Sequence, residues 1–366
     1  MSSSFGHNIR TQIFGQSHSE KLGVVIDGLP AGYAIDMQAV QAFLDRRRGG
    51  QNRYSTARAE RDVPTIVSGL ADGVTCGAPL CALFDNSDVR SSDYDKLAAI
   101  PRPSHADFYA GAKYNGCNDI RGGGHFSGRM TLPLVFAGAV CAQILEEELE
   151  ISIGAHIDQI YNLIDEPFDP LQVSAEDLKF EGFPVNDPSV EEPMKRAMLE
   201  AAAEGDSVGG VIECAAINLP VGEGSPMFAG VENRFAQAIF AIPAVRGIEF
   251  GAGFEAAGML GSEHNDAFAV VSAEDESGSY SKVEHKTNNA GGVVGGLTTG
   301  APLIFRVAIK PTPSIAKEQD SVNLETLEEV KLKIEGRHDP CIVPRAVPVV
   351  EAVTALVLAD MLVDIL

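Results

Sequence analysis

Apolar and polar positions alternate along the chain in blocks of two periods, one of strands and one of helices. Leu22 to Gly28 is a short apolar run closing on glycine, which predicts a strand ending in a turn that Leu29-Pro30-Ala31-Gly32 continues. Asp36 then stands before Met37, Val40, Phe43 and Leu44, an amphipathic helical spacing with its own cap, and the helix runs into Arg46-Arg47-Arg48-Gly49-Gly50. Val63 to Gly69 and Ala78 to Phe84 read as strands, and polar Asp85 to Ser104 as a loop. From Thr131 a long run of small and apolar residues ends at Glu146-Glu147-Glu148 and predicts a helix, with Pro133 tolerated in its first turn. Residues 151–192 are acidic, proline-bearing and only weakly periodic. Met194 to Glu204 predicts a helix closed by Gly205, Val208 to Glu213 a strand, Val231 to Ala241 a helix, Ile248 to Phe250 a short strand and Pro302 to Ile309 another strand. Leu324 to Ile334 has the spacing of a charged amphipathic helix, and a mostly apolar helix from Pro344 closes the chain. Val208 to Glu213 with Leu219-Pro220-Val221-Gly222 echoes Leu22 to Asp27 with Leu29 to Gly32. The echo points to a duplicated strand-and-turn unit inside one pseudo-symmetric domain.

Length alone favours two domains, since 366 residues are long for one, and 45% hydrophobic content supplies ample core. A net charge of −23 excludes wrapping nucleic acid or docking on anionic lipid, so clustered arginines stand out. The six cysteines form no CxxC pair and no metal-ligand spacing, so no metal is expected. The first twenty residues are polar, without the pattern of a signal peptide, and Leu132 to Leu145 is short for a bilayer span. A reduced, cytoplasmic protein is the expectation.

The chemistry gathers in a few stretches. Arg121-Gly122-Gly123-Gly124-His125-Phe126-Ser127-Gly128-Arg129 places three glycines, whose backbone can approach a ligand closely, at the N-terminus of the helix from Thr131. Arg46, Arg47 and Arg48 could complement a helix dipole, but one basic residue would suffice, and Arg53, Arg58 and Arg61 follow. An anion site is favoured. In Arg102-Pro103-Ser104-His105-Ala106-Asp107 a histidine follows a rigid turn, with a carboxylate two residues on. It could be a tuned acid or base or an ordinary loop histidine. Three local matches mislead. Gly15-Gln16-Ser17-His18-Ser19 lacks the last glycine of a nucleophile elbow, Gly205-Asp206-Ser207 has no supporting framework of a serine protease, and Gly251 to Ala256 opens no long helix.

Taken together, these segments resemble the chorismate synthase family over nearly the whole chain. The resemblance rests on Phe14-Gly15-Gln16-Ser17-His18, Asp45 to Arg48 with Arg53-Tyr54, and Arg102 to Asp107. Arg121 to Arg129, Asn288 to Gly296, Lys310 to Ser314 and Gly336-Arg337-His338-Asp339-Pro340-Cys341 complete it, all in family order. It implies an α/β (α+β) fold, a β-α-β sandwich with a pseudo-twofold repeat spanning the chain as one domain, assembled as a homotetramer. It implies 1,4-anti-elimination of phosphate from 5-enolpyruvylshikimate 3-phosphate to give chorismate, with reduced FMN required and NADPH the candidate external reductant. By the same resemblance His18, His105, Asp339, Ser17 and Ser127 are catalytic, and Arg47, Arg53, Arg102, Arg129 and Arg337 bind substrate. His125, Phe126, Ser127, Ala244, Gly295, Lys310, Pro311, Thr312, Pro313, Ser314 and Arg337 contact the flavin, with Arg337 open between the two ligands. Guanidinium groups suit a ligand with a phosphate and two carboxylates. The chain departs from the family's usual G-E-S-H-G at Gln16 and Ser19, and from its usual R-G-G-G-R-S-S-A-R at His125 and Phe126. Loss of the glutamate should leave His18 less readily protonated. A flavin-binding paralogue without catalysis and a serine hydrolase using Ser17 are the other classes to discriminate.

Overall fold

The computed structural model describes residues 3–56, 60–87, 99–275, 278–334 and 338–366. Two five-stranded antiparallel sheets frame it. The first runs, in spatial order, Ser4–Phe5, Arg10–Phe14, Lys21–Asp27, Leu80–Asp85, Thr65–Ser68. The second runs Val245–Phe250, Leu303–Ile309, Gly210–Ile217, Ser152–Ile160, Leu163–Ile164. The helices are α1 (Met37–Arg47), α2 (Asp107–Lys113), α3 (Thr131–Leu149), α4 (Pro188–Ala203), α5 (Val231–Ile239), α6 (Gly261–His264) and α7 (Val343–Leu362). This mixture of antiparallel sheet and helix is α+β.

The core lies where α3 and α7 meet. α3 packs on Lys21–Asp27 of the first sheet, and α7 on Ser152–Ile160 and Gly210–Ile217 of the second. The helices therefore form a layer reached from both sheets, and one apolar cluster joins Val24, Phe136, Phe305 and Val353. Gly128–Leu149 and Val343–Ile365 are each long and apolar enough to cross a bilayer by composition, contrary to the expectation that no run was long enough. Their windows are 78% and 89% buried in the protein, so that surface is spent on each other and on the sheets.

Local signals place most elements as expected. The Asp36 carboxylate accepts the amides of Gln38 and Ala39 and starts α1. Pro133 sits in the first turn of α3. α4 begins six residues earlier than Met194, because Asp187 caps it and Pro188 preforms its first turn.

Two stretches differ. Leu324 to Ile334 is not a helix: Gln319–Asn323 pairs antiparallel with Glu328–Leu332. The Asn323 side chain accepts the amides of Glu325 and Thr326, a turn that competes with helix, and Leu332 and Ile334 are then buried beside Ile100. Residues 151–192 contain the strand Ser152–Ile160. Its period is concealed because both faces are buried and one carries His156 and Asp158. His156 bridges Asp165 and Glu213, each at 2.9 Å, so its polarity is satisfied by partners remote in sequence.

α3 and α7 pack backbone to backbone at Gly138: a Cβ there would lie 2.2 Å from the Ala352 carbonyl oxygen and 2.4 Å from its Cα. Gly138→Ala is expected to force the helices apart and cost about 1–3 kcal/mol, read as a lower urea midpoint.

Candidate functional site

A cavity of about 450 Å³ opens between the end of α1, the glycine arm before α3, the loop before α2, the segment after Leu303–Ile309, and the start of α7. The glycine arm is its central piece. Gly122, Gly123 and Gly124 have φ of 61°, 84° and 55°, a left-handed run that side chains rarely adopt. It also has no room for side chains. A Cβ on Gly122 would stand 2.4 Å from the His18 ring and the Ser17 hydroxyl, and one on Gly123 would stand 3.1 Å from Cε1 and Nε2 of His105. The Ser17 amide donates to the Gly124 carbonyl at 3.0 Å, tying the Ser17-His18 turn to the arm. The arm thus separates His18 from His105 by little more than a peptide backbone.

Three arginines line the cavity while almost wholly buried: Arg47, Arg102 and Arg129. Burying a guanidinium demands carboxylates. Asp62 serves two, with Arg47 Nη1 at 3.1 Å and Arg129 Nη1 at 2.5 Å. Arg47 also donates to the Thr131 hydroxyl and the Gly128 carbonyl, at the entry to α3. Arg102 makes a two-pronged pair with Asp107, Nε to Oδ2 at 2.7 Å and Nη2 to Oδ1 at 2.8 Å, and its Nη1 reaches Ser314 Oγ at 3.0 Å. Burial pushes the Asp107 pKa up, but the hydrogen bonds from Arg102 and His105 outweigh it and hold the carboxyl well below the usual range.

The other neighbours of α1 divide the three-arginine run by role. Arg46 pairs with Glu351 on α7 through two bonds of 2.6 and 2.7 Å, and Arg48 turns back to Asp45. Only Arg47 of the three lines the cavity.

Asp339 is held on both oxygens. Oδ1 accepts the Thr56 amide at 2.7 Å, and Oδ2 accepts Arg345 Nη1 at 2.6 Å. Arg345 Nε in turn donates to the Arg47 carbonyl at 2.9 Å. Lys310 closes another side. Its ammonium donates to the Ser104 carbonyl at 2.9 Å and its amide to the Ala244 carbonyl at 3.0 Å. Burial, with Arg246 nearby, lowers its pKa. Ser104 and Ala244, with φ of 57° and 76°, are non-glycine residues in left-handed backbone on the cavity edge, a strain that concentrates at functional sites.

The cavity lining therefore brings together Ser17, Arg47, Arg102, His105, Phe126, Ser127, Arg129, Ala244, Lys310, Thr312, Pro313, Ser314 and Asp339 of the predicted set. His18 stands behind Gly122. Besides His18, four described residues of the predicted set lie outside the lining. Arg53 is exposed. His125 turns outward to the Gly15 carbonyl and the Ser3 hydroxyl. Gly295 makes an open hairpin turn between Val293–Val294 and Leu297–Thr298. Pro311 faces Gly209. Arg337, like Arg58 of the basic run, lies outside the described residues. Sequence reasoning missed Thr56, Asp62 and Arg345. The available signal for Arg345 was a lone cation two residues into an apolar helix.

The chain matches the family model described as chorismate synthase over residues 9–363. It is 46% identical over 358 residues to the chorismate synthase of Korarchaeum cryptofilum, covering 97% of this chain and 96% of that one. It is 44% identical over 366 residues to that of Dehalococcoides mccartyi strain 195, covering 99% and 96%. A solved structure titled "Crystal Structure of Chorismate Synthase" superposes with a TM-score of 0.73 at 29% identity, over 98% of this chain and 93% of that one.

Gly122→Ala is expected to displace His18 and Ser17 and to strain the arm by about 1–3 kcal/mol. Phosphate release should fall far more than the stability change explains, checked by assay and denaturation together. The pair made by Asp107 stabilises the fold above the ordinary carboxylate pKa of about 4 and is lost only as pH falls through its depressed value. In a His105→Ala background, where Arg102 is the remaining charged partner, the stability gap between Asp107 and Asp107→Asn should therefore be flat from neutral pH to about 5 and narrow in stronger acid, read from urea midpoints at each pH.

Proposed function

This chain belongs to the chorismate synthase family, and from that premise we propose how its cavity performs the family's reaction. The enzyme is a carbon–oxygen lyase of the shikimate pathway that eliminates phosphate from 5-enolpyruvylshikimate 3-phosphate to give chorismate. The observation that carries the mechanistic reading is one cavity holding Arg47, Arg102, Arg129, Lys310 and Arg345 together with His105 and Asp339.

Against a net charge of −23, this cluster is the local positive field that a phosphate and two carboxylates need. Arg47 and Arg129 both pair with the carboxylate of Asp62, which holds the two guanidinium groups side by side on the cavity wall where an anionic substrate would meet them. His18, behind the glycine arm, is proposed to protonate the departing phosphate, with Ser17 fixing its turn. His105 and Asp339 are proposed to manage protons on the opposite reactant. Arg337 is retained in both ligand roles.

The residues present fit a reduced flavin. Phe126, Ile242, Pro243, Ala244, Ile342 and Val349 give an apolar wall for a flat ring, and Ser127, Lys310, Thr312 and Ser314 give polar groups at its edge. Bound reduced FMN supplies transient electron density and a base for the C6 proton. Phe126, Ser127, Ala244 and Lys310 to Ser314 would hold it, with His125, Gly295 and Pro311 reaching it only by rearrangement or from another protomer. The departure at His125 falls on a side chain turned out of the cavity, which favours retained catalysis over a binding-only paralogue. NADPH is the candidate external reductant.

One domain with an internal twofold repeat is part of the same proposal. The orders Arg10–Phe14, Lys21–Asp27, Leu80–Asp85, Thr65–Ser68 and Ser152–Ile160, Gly210–Ile217, Leu303–Ile309, Val245–Phe250 correspond strand for strand, which supports it. Exposed Phe228, Phe254, Val221 and Met227 offer apolar surface for subunit contacts in the homotetramer that the family resemblance suggests, and the cytoplasm is its proposed location.

Anaerobic protein with photoreduced FMN is expected to release phosphate from 5-enolpyruvylshikimate 3-phosphate. No release at saturating reduced flavin would remove the mechanistic reading. A parallel arm with oxidised FMN and NADPH separates self-reducing from dependent enzymes.

A further inference from the structure

His105 is not an isolated ring. Its Nδ1 lies 2.6 Å from Asp107 Oδ1, and the same oxygen receives Arg102 Nη2 at 2.8 Å. The other carboxylate oxygen accepts Arg102 Nε at 2.7 Å and the Arg102 amide at 3.1 Å. The Asp107 side chain is only 6% exposed and has no acidic neighbour in this set. An ionised carboxylate accepts only, so a 2.6 Å contact requires the proton on Nδ1. The remaining nitrogen, Nε2, is the one beside Gly123, on the cavity side.

Arg102 is largely committed before any ligand arrives. Nε bonds Asp107, Nη1 bonds Ser314, and Nη2 lies against Asp107 and, at 3.0 Å, His105 Nδ1. Three of its five guanidinium hydrogens meet these acceptors; with Nδ1 protonated, one on Nη1 and one on Nη2 meet no acceptor in this set.

We propose that Asp107 is a positioning residue that keeps His105 in the Nδ1–H form and presents Nε2 to the reaction, and that Arg102 braces this carboxylate while its remaining hydrogens face the substrate. The proposal rests on the catalytic reading of His105 given above. In it the Nδ1 proton stays on the ring, shared with Asp107, while Nε2 takes up and returns the transferred proton. Asp107 remains ionised throughout and needs no co-reactant.

Asp107→Asn tests this sharply. The two donors of Arg102 on the Oδ2 side select the amide oxygen, which turns the amide N–H₂ toward His105 Nδ1 and enforces the Nε2–H form. Long-range ¹H–¹⁵N NMR of the resting protein, labelled at histidine and compared with His105→Ala for assignment, is expected to show Nδ1–H in the native chain and Nε2–H in D107N. With reduced FMN, kcat of D107N is expected to fall by about 10²-fold with KM nearly unchanged, and the loss should vanish in the His105→Ala background. Asp107→Glu, which restores an acceptor, should keep the Nδ1–H signature and recover part of kcat. Nε2–H in the native chain, an unchanged tautomer in D107N, or equal losses with and without His105 would each overturn the proposal. Should D107N fail to fold, D107E and the native spectrum decide it by the same signature. The tautomer is read without turnover, so a native Nδ1–H spectrum with no phosphate release would strike the proposed mechanism and leave this assignment standing.

Discussion

Three guanidinium groups taken out of water around one cavity set the terms for the rest of this structure. Each desolvated cation costs several kcal/mol unless it is paired and hydrogen-bonded. Asp62 and Asp107 provide that pairing, and neither belongs to the element carrying most of its partners. Asp62 comes from the loop after α1, itself in left-handed backbone, and reaches Arg47 on α1 and Arg129 at the entry to α3. Asp107, at the start of α2, holds Arg102 and through it Ser314, which follows the second sheet. The cavity walls are thereby joined by charge, and the pairs that make burial tolerable also fix where the cations stand.

The glycine arm is the second constraint, and it is steric. Arg121 to Phe126 passes between His18 and His105, where a single methyl at Gly122 or Gly123 would touch a ring. Glycine is needed there for conformation and for space at once. Beyond the arm, α3 runs into the core and packs on α7 so closely that Gly138 has no side chain to spare. The site is therefore built at the ends of two closely packed core helices. The start of α7 lends it Arg345, bonded to Asp339 and to the Arg47 carbonyl. Helix packing and site geometry share these residues, so a change in one is felt in the other.

Much of the second half answers to a different device. His156 lies between Asp165 and Glu213, with Phe168 edge-on at a centroid distance of 4.6 Å, and the Asp165 carboxylate also accepts the amides of Asn186 and Asp187. Burial lowers the His156 pKa but its two carboxylates outweigh this and raise it. The segment between the strand Leu163–Ile164 and α4 is thus fastened to the sheet by polar bonds and a small apolar cluster. Its sequence is acidic and aperiodic for that reason.

What the sequence determined by itself was local or compositional. Asp36 before an amphipathic spacing caps α1, Pro133 sits in a first turn, and a three-glycine run precedes an apolar helix. Each signal acts within a few residues and survived folding unchanged. The family, and with it the reaction, was also legible, because spaced motifs such as Arg102 to Asp107 and Lys310 to Ser314 keep their order along the chain. Tertiary structure alone decided which of the clustered cations face the cavity. Arg46, Arg47 and Arg48 are adjacent and chemically identical, yet they go to Glu351, Asp62 and Asp45. That choice depends on the direction of each side chain around the helix and on carboxylates up to 305 residues away. The same dependence hid the strand at Ser152–Ile160 and turned Leu324 to Ile334 into a hairpin. In the first, polar partners elsewhere in the chain satisfied His156; in the second, a local Asn323 turn and the burial of Leu332 and Ile334 beside Ile100 outweighed the helical spacing.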